Sequence, residues 1–244
     1  WLEGATSILA VSSFTASQYL KKFPSKASVQ WCHPPLSSIN LIDISVSESS
    51  RIWNSLCLNF GSARGYFFLP SAAGIGTYKN PEVVLQALSD PRLKHFDLII
   101  SGPSDLLLRN QIRSSFPQLI NRVHFAGFTD YELAAVYSNV ICVVIPSIVE
   151  GFGLPVIEAF SHRCLTIVAD SSALNEAAAN CSLRFPAKSP KYLADLLVSL
   201  IDTDSFEWFQ SKLLPRADLR LSCLSPDLFG LSLLAQARSA AVLH

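Results

Sequence analysis

From residue 66 onward, short runs of consecutive apolar residues alternate with stretches in which apolar residues recur every three or four positions. The runs are YFFLP, DLIISG, VHFAG, VICVVIPS, LTIVAD and LRFP. The periodic stretches are NPEVVLQAL, DLLLRNQIRSSF, TDYELAAVY, PVIEAF, ALNEAAA and SPKYLADLLVSLI. This alternation predicts strand and helix in turn. Runs apolar on consecutive positions suit strands buried on both faces, so the segment from about 60 to 202 is predicted to form an α/β fold with a doubly wound, mostly parallel sheet. Ligands of such sheets gather at the carboxyl ends of the strands. Two helix starts are marked: Asn80 as N-cap with Pro81 at the first helical position, and Thr129 with Glu132 three residues on as a capping box.

Upstream, SILAVSS, TASQYLKKF and ASVQWCH predict a separate strand, helix and strand, ended by Pro34-Pro35. The serine-rich stretch that follows is a linker or a partly helical connector. After Asp204 the pattern weakens into tail helices. The expected units are thus 1–35, 36–64, 65–204 and 205–244.

Composition narrows the function. Half of the 244 residues are hydrophobic and 16% are charged, which describes a compact globular chain. Lys plus Arg equals Asp plus Glu at 19 each, so no overall basic field exists to hold nucleic acid. The six cysteines form no CxxC pair, and Cys142 and Cys164 fall in or beside apolar runs, the pattern of reduced thiols in a cytoplasmic protein. No apolar run approaches the roughly 18–20 residues that span a bilayer, and WLEGATSILAVSS lacks the basic start of a signal peptide. Methionine is absent even at position 1, so the expectation is a fragment of a longer chain. HExxH, paired Cys/His zinc spacing and GxSxG are all missing, and no metal site is expected. Gly74-Ile75-Gly76 is half of a dinucleotide fingerprint without its third glycine.

The chemistry concentrates in residues 147–160, SIVEGFGLPVIEAF, which follow the strand VICVVIP. Pro155 suits the first turn of the next helix, while Gly151 and Gly153 leave the backbone bare ahead of it. Amides at a helix N-terminus attract phosphate, and glycines let a sugar or phosphate approach the main chain. Glu150 in the loop can accept hydrogen bonds from sugar hydroxyls, and Glu158 one turn into the helix can accept two from a ribose diol. Singly, each glutamate also fits a bland role, Glu158 as a helix-dipole partner and Glu150 as a solvated loop charge. Lys79 precedes the Asn80-Pro81 helix start, which puts its ammonium beside a second cluster of helix amides. Its bland alternative is a surface lysine before a turn.

EGFGLPVIE, from Glu150 to Glu158 and preceded by Pro146-Ser147, resembles the E-x7-E signature of the GT-B fold glycosyltransferases of family 4, the retaining group 1 type. The resemblance covers most of the chain. AVSSFTASQYLKKF looks like the last helix of the acceptor domain, YKNPEVVLQAL like the helix carrying the phosphate lysine, VHFAGFTDYELAAVYSN like the next βα unit, and SSALNEAA like the LPE loop. It implies a Rossmann-like sheet at 65–204 as the carboxyl-terminal, donor-binding half of a GT-B fold, with 1–35 the end of an incomplete acceptor domain. It further implies that Glu150 binds a donor-sugar hydroxyl, that Glu158 binds the ribose, and that the backbone of Gly151, Phe152, Gly153 and Leu154 faces sugar and diphosphate. Lys79 would neutralise the diphosphate, making Glu150 and Lys79 the catalytic pair.

The implied partners are a nucleotide-sugar donor and a carbohydrate or lipid-linked acceptor, with neither cofactor nor metal. The missing domain leaves room for peripheral membrane association at the inner face. Two departures stand out. The family's arginine before the lysine is absent from SAAGIGTYKN, where Ser71, Thr77 and backbone amides are weaker substitutes. In SHRCL, Arg163 and Leu165 replace the family's usual glycine and proline, so the turn before LTIVAD must be built differently. None of the five histidines fits the family's catalytic role, and His124 is expected in the core or at a strand end. The alternative is a module with a degenerate GT-B fold that binds nucleotide sugar without turnover. A GT-B epimerase would need acid-base groups that the sequence does not offer.

Overall fold

The structure is a computed structural model that describes residues 5, 7–23, 27–36, 42–61, 64–102 and 106–241. The expected helix start at Asp105 and the connector residues 37–41 lie outside them. Two parallel sheets are present among the described residues. The smaller pairs β1 (Ser7–Ala10) with β2 (Ser28–Trp31), joined by α1 (Ser13–Lys22). This is the strand, helix and strand expected upstream.

The larger sheet holds β3 (Gly65–Leu69), β4 (Phe96–Ser101), β5 (Val123–Ala126), β6 (Cys142–Ile145), β7 (Thr166–Ala169) and β8 (Leu183–Phe185). All its pairings are parallel. After the strands in turn come α3 (Pro81–Leu88), α4 (Leu106–Ser115), α5 (Asp130–Asn139), α6 (Leu154–Ser161), α7 (Leu174–Ala178) and α8 (Pro190–Leu200). Each predicted strand and helix is found. The reason is visible in the central strands: every residue of β6 and β7 is buried, as a two-sided parallel strand requires.

Strand order is β5-β4-β3-β6-β7-β8. The chain starts at β3 in the middle, winds outward through β4 and β5, then returns to the other side of β3 and winds outward again. Connections leave β3 and β6 in opposite directions. This reversal opens a crevice between their carboxyl ends, the switch point where doubly wound sheets bind ligands. The fold is therefore the doubly wound, parallel α/β sheet that the apolar runs predict.

The serine-rich connector resolves as α2 (Val46–Phe60), which packs on α5 and is N-capped by Ser45, whose side chain accepts from the Glu48 amide. Beyond β8 and α8 run α9 (Thr203–Ser222) and α10 (Pro226–Ala241). The boundary expected after 204 falls inside α9, which packs on α6 and α8 and buries Leu213, Leu214 and Ala217. In the turn before β7, Arg163 takes the left-handed conformation at φ 53, where glycine would be unstrained, and its guanidinium reaches Asp218 at 2.7 Å. No helix among the described residues is long and apolar enough to cross a membrane.

Candidate active site

Three loops meet at the switch point, and hydrogen bonds stitch them together. Asn80 starts α3 with a left-handed backbone, φ 53, but makes no side-chain cap bond. Its amide Nδ2 instead donates to Pro146 O at 3.1 Å and Ala187 O at 2.8 Å, tying the start of α3 to the ends of β6 and β8. Asn80 holds the N-cap position that the sequence marks, and its side chain serves as a brace. Beside it, the Ile148 amide donates to Tyr78 O at 2.8 Å, so the loop after β3 and the loop after β6 run side by side. From the other flank, the Glu150 amide donates to Ser172 Oγ at 3.1 Å, and Ser171 Oγ donates to Ser147 O at 2.8 Å.

These braces bring Lys79 and Glu150, 71 residues apart, to an ion pair with Nζ 2.8 Å from Oε1. Both side chains are about one-fifth exposed, at 21% and 19%, so the pair is reachable from solvent yet shielded from full screening. The Lys79 ammonium also lies 5.3 Å from the centre of the Tyr78 ring.

After Glu150 the chain turns into α6. Gly153 is its N-cap at φ 106, a conformation that favours glycine, and a Cβ there would press on Leu174 Cδ2 at 2.8 Å. A Cβ on Gly151 would meet nothing nearer than Val11 Cγ2 at 3.7 Å. The fold does not demand glycine at that position, which leaves its bare backbone available to a ligand. The Gly151 carbonyl is already bound, accepting from Ser12 Oγ at 2.6 Å and Thr15 Oγ1 at 3.0 Å at the start of α1. The Phe152 side chain is buried, with its ring centre 4.8 Å from that of His33. Leu154 and Pro155 open α6, whose first-turn amides point toward the loop, as at any helix start.

Glu158 sits apart from the Lys79–Glu150 pair, in the middle of α6, where its Oε2 accepts from the Tyr137 hydroxyl of α5 at 2.8 Å. Burial, reinforced by the neighbouring Glu158 charge, pushes the Tyr137 phenol well above its usual range, so it stays a donor. The Tyr137 ring stacks on His162 at 5.6 Å with planes 5° apart. Burial lowers the His162 pKa, opposed by Asp43. Tyr137, Glu158, Asp130 and His162 help to line a cavity of about 50 Å³. That volume suits a water or two, so a ribose would have to meet Glu158 at the rim.

Sequence reasoning missed four contributors. Tyr137 could have been suspected, because a tyrosine on a buried helix face needs a partner for its hydroxyl. Ser172, Ser12 and Thr15 carry no local signal. A second missed cluster backs the Phe152 loop. Glu176, on α7, accepts from the Phe14 amide at 2.8 Å and the Ser13 amide at 2.9 Å, and faces His33 Nε2 at 3.3 Å. Arg220 Nη2 donates to Glu176 O at 2.9 Å and lies 3.1 Å from His33 Nδ1, which fixes the His33 proton on Nε2. Burial lowers the His33 pKa, and Arg220 adds to this against the raising pull of Glu176. Burial alone would raise the Glu176 carboxyl, but the amides of Phe14 and Ser13 and the His33 ring hold it below the usual carboxylate range.

Of the two hydroxyls expected to replace the missing arginine, Ser71 is exposed, while Thr77 Oγ1 is buried without a hydrogen-bond partner. His124 lies in β5 as expected, with Nε2 2.8 Å from Asp97 Oδ2 of β4.

A lysine–glutamate pair, a glycine loop and a helix start thus meet at the switch point of the sheet. The chain belongs to the glycosyl transferases group 1, whose family model matches residues 60–207, more than half of its length. Among solved structures, it resembles a glycosyltransferase from Rickettsia africae ESF-5, with 18% identity and a TM-score of 0.77 over 97% of this chain and 64% of that one. It also resembles HepE from Anabaena in complex with UDP-glucose (16% identity, TM-score 0.74, 98% of this chain and 65% of that one). A third is sucrose-phosphate synthase from Thermosynechococcus elongatus (20% identity, TM-score 0.73, 100% of this chain and 60% of that one). At these identities the likeness establishes the fold, and the chain spans less than two thirds of each. No curated protein sequence matches the chain.

Proposed function

We propose that this chain is the donor-binding part of a retaining, metal-independent GT-B glycosyltransferase of family 4 that moves a hexose from a nucleoside-diphosphate sugar to a hydroxyl of a carbohydrate or lipid-linked acceptor. The observation that carries the reading is the meeting of Lys79 and Glu150 at 2.8 Å across the switch point, beside the start of α6. Lys79 holds the diphosphate, Glu150 accepts from a sugar hydroxyl, and Glu158 accepts from the ribose. The backbone from Phe152 to Leu154 lies along sugar and diphosphate. A nucleotide-sugar donor agrees with the UDP-glucose complex of HepE.

Charge developing on the leaving diphosphate meets the Lys79 ammonium and the first-turn amides of α6, so front-face attack by the acceptor needs no protein nucleophile. The unit β1–α1–β2 is the end of an acceptor-binding domain, and Ser12 and Thr15 tie it to the donor loop through Gly151. The enzyme works in the cytoplasm, in polysaccharide or glycoconjugate synthesis, with mannosyl transfer as one candidate. A second reading, binding without turnover, is favoured by the arginine-free loop 70–79 and the inward-facing Thr77 hydroxyl.

Product formation followed by mass spectrometry with UDP-, GDP- and ADP-hexoses, for this chain and for any longer gene product containing it, separates the two. Donor binding without transfer by this chain, and transfer by the longer product, is expected. Binding without transfer by both leaves the non-catalytic module standing.

A further inference from the structure

The Lys79–Glu150 pair joins the group proposed to hold the diphosphate directly to the group proposed to hold the sugar. Its geometry is not an accident of two long side chains. The backbone on each side is pinned: Tyr78 O by the Ile148 amide, Asn80 by Pro146 O, and the Glu150 amide by Ser172 Oγ. Lys79 is therefore presented to Glu150 at 2.8 Å by the braced loops themselves.

A sugar-free nucleoside diphosphate that binds Lys79 must draw the ammonium away from Glu150 and bring its own negative charge beside that carboxylate. It offers Glu150 nothing in return. A diphosphate that carries a sugar brings hydroxyl donors, which replace the ammonium on Glu150 while the ammonium moves to the phosphate. We propose that Glu150 is a specificity-determining residue that acts through this ion pair: its carboxylate competes with a bare diphosphate for Lys79, so the site favours sugar-bearing nucleotide over the sugar-free nucleoside diphosphate that transfer leaves behind. This rests on the reading of the crevice as a donor site. The consequence is that the product is released more readily than substrate.

The test is calorimetric titration of UDP, GDP and ADP, each with and without its hexose, into the wild-type chain, Glu150→Gln and Lys79→Ala. Glu150→Gln keeps the size of the side chain and removes its charge. It is expected to bind the sugar-free diphosphate about 2- to 5-fold more tightly, the range for losing a partly shielded ion-pair competitor. The hexose-bearing nucleotide should bind no more tightly, so the preference for it over the sugar-free form collapses. Glu150→Ala should shift the sugar-free diphosphate in the same direction, which guards against a local effect of the glutamine amide. Unchanged or weaker binding of the sugar-free diphosphate in both variants overturns the inference. If Lys79→Ala leaves every diphosphate unaffected, the donor-site reading itself fails, a separate result from the gain in affinity.

Discussion

Charge pairs stand at both ends of the six-stranded sheet, and they mean different things. At the carboxyl end, Lys79 and Glu150 reach across from loops that leave β3 and β6 in opposite directions. Toward the amino end, Asp97 of β4 meets His124 of β5 at 2.8 Å and Arg122 at 3.7 Å, between neighbouring paired strands. Arg122 also donates to Leu88 O at 3.2 Å, Leu93 O at 2.7 Å and Phe96 O at 2.5 Å. That network ties off backbone carbonyls and secures an edge strand. Under the proposed function the Lys79–Glu150 pair is exchanged for ligand contacts, while the loops stay braced by other groups. Burial and opposite charge occur at both ends; strand topology distinguishes a site from a seam.

The contrast can be broken by removing one cation from each end. Arg122→Ala strands several backbone carbonyls and is expected to destabilise the fold by about 2 to 4 kcal/mol in denaturant titration, with nucleotide affinity unchanged in the protein that remains folded. If nucleotide affinity instead fell while stability held, the two ends would have been assigned the wrong way round.

A smaller effect is expected at Glu158. Glu158→Ala should weaken binding of the best nucleotide sugar by about 1.5 to 3 kcal/mol without unfolding the chain. Tyr137→Phe, which removes only the hydroxyl bonded to Glu158, should cost about 1 kcal/mol of the same binding and nothing for a 2′,3′-dideoxy analogue. Equal losses for both nucleotides would make Tyr137 a packing residue and no more.

The smallest effect is on stability against pH. His33 and His162 have folded pKa values below the ordinary 6.5, so the unfolded chain takes up protons first as pH falls. Their contribution is complete above pH 6.5 and is lost as pH drops through the lowered values. The Glu176 contribution is present above its ordinary 4.5 and is lost at lower pH, as the carboxyl protonates. Unfolding midpoints measured from pH 8 to about 2.5 should therefore decline in two stages, and His33→Gln should flatten the first. A midpoint that rises between pH 6.5 and 5 would contradict the burial assigned to both rings.

Much of this was legible in the chain itself. Apolar runs such as CVVI and TIVA announce strands because burial on both faces forbids alternation. The Thr129–Glu132 capping box forms both of its bonds because its residues are local. The loop into α6 was readable because Gly153, Leu154 and Pro155 encode a turn entering a helix. What escaped was long-range. Asn80 braces Pro146 and Ala187, Ser172 holds Glu150, and Glu176 caps a helix more than 160 residues upstream. Such bonds depend on where the sheet folds back, which no spacing in the sequence records. Helix α2 was only half readable, since a serine-rich stretch also suits a linker and its pairing with α5 is tertiary.

The claim that the crevice between β3 and β6 is a diphosphate site can be tested on one side chain. Titration of a nucleoside diphosphate and of the corresponding nucleoside into the wild-type chain and Lys79→Ala, at low and high salt, isolates the charge at Nζ. The diphosphate should bind at least about tenfold less tightly to Lys79→Ala at low salt, the gap should narrow as salt rises, and nucleoside affinity should hold. Equal losses for nucleoside and diphosphate, or no loss for either, would contradict the account.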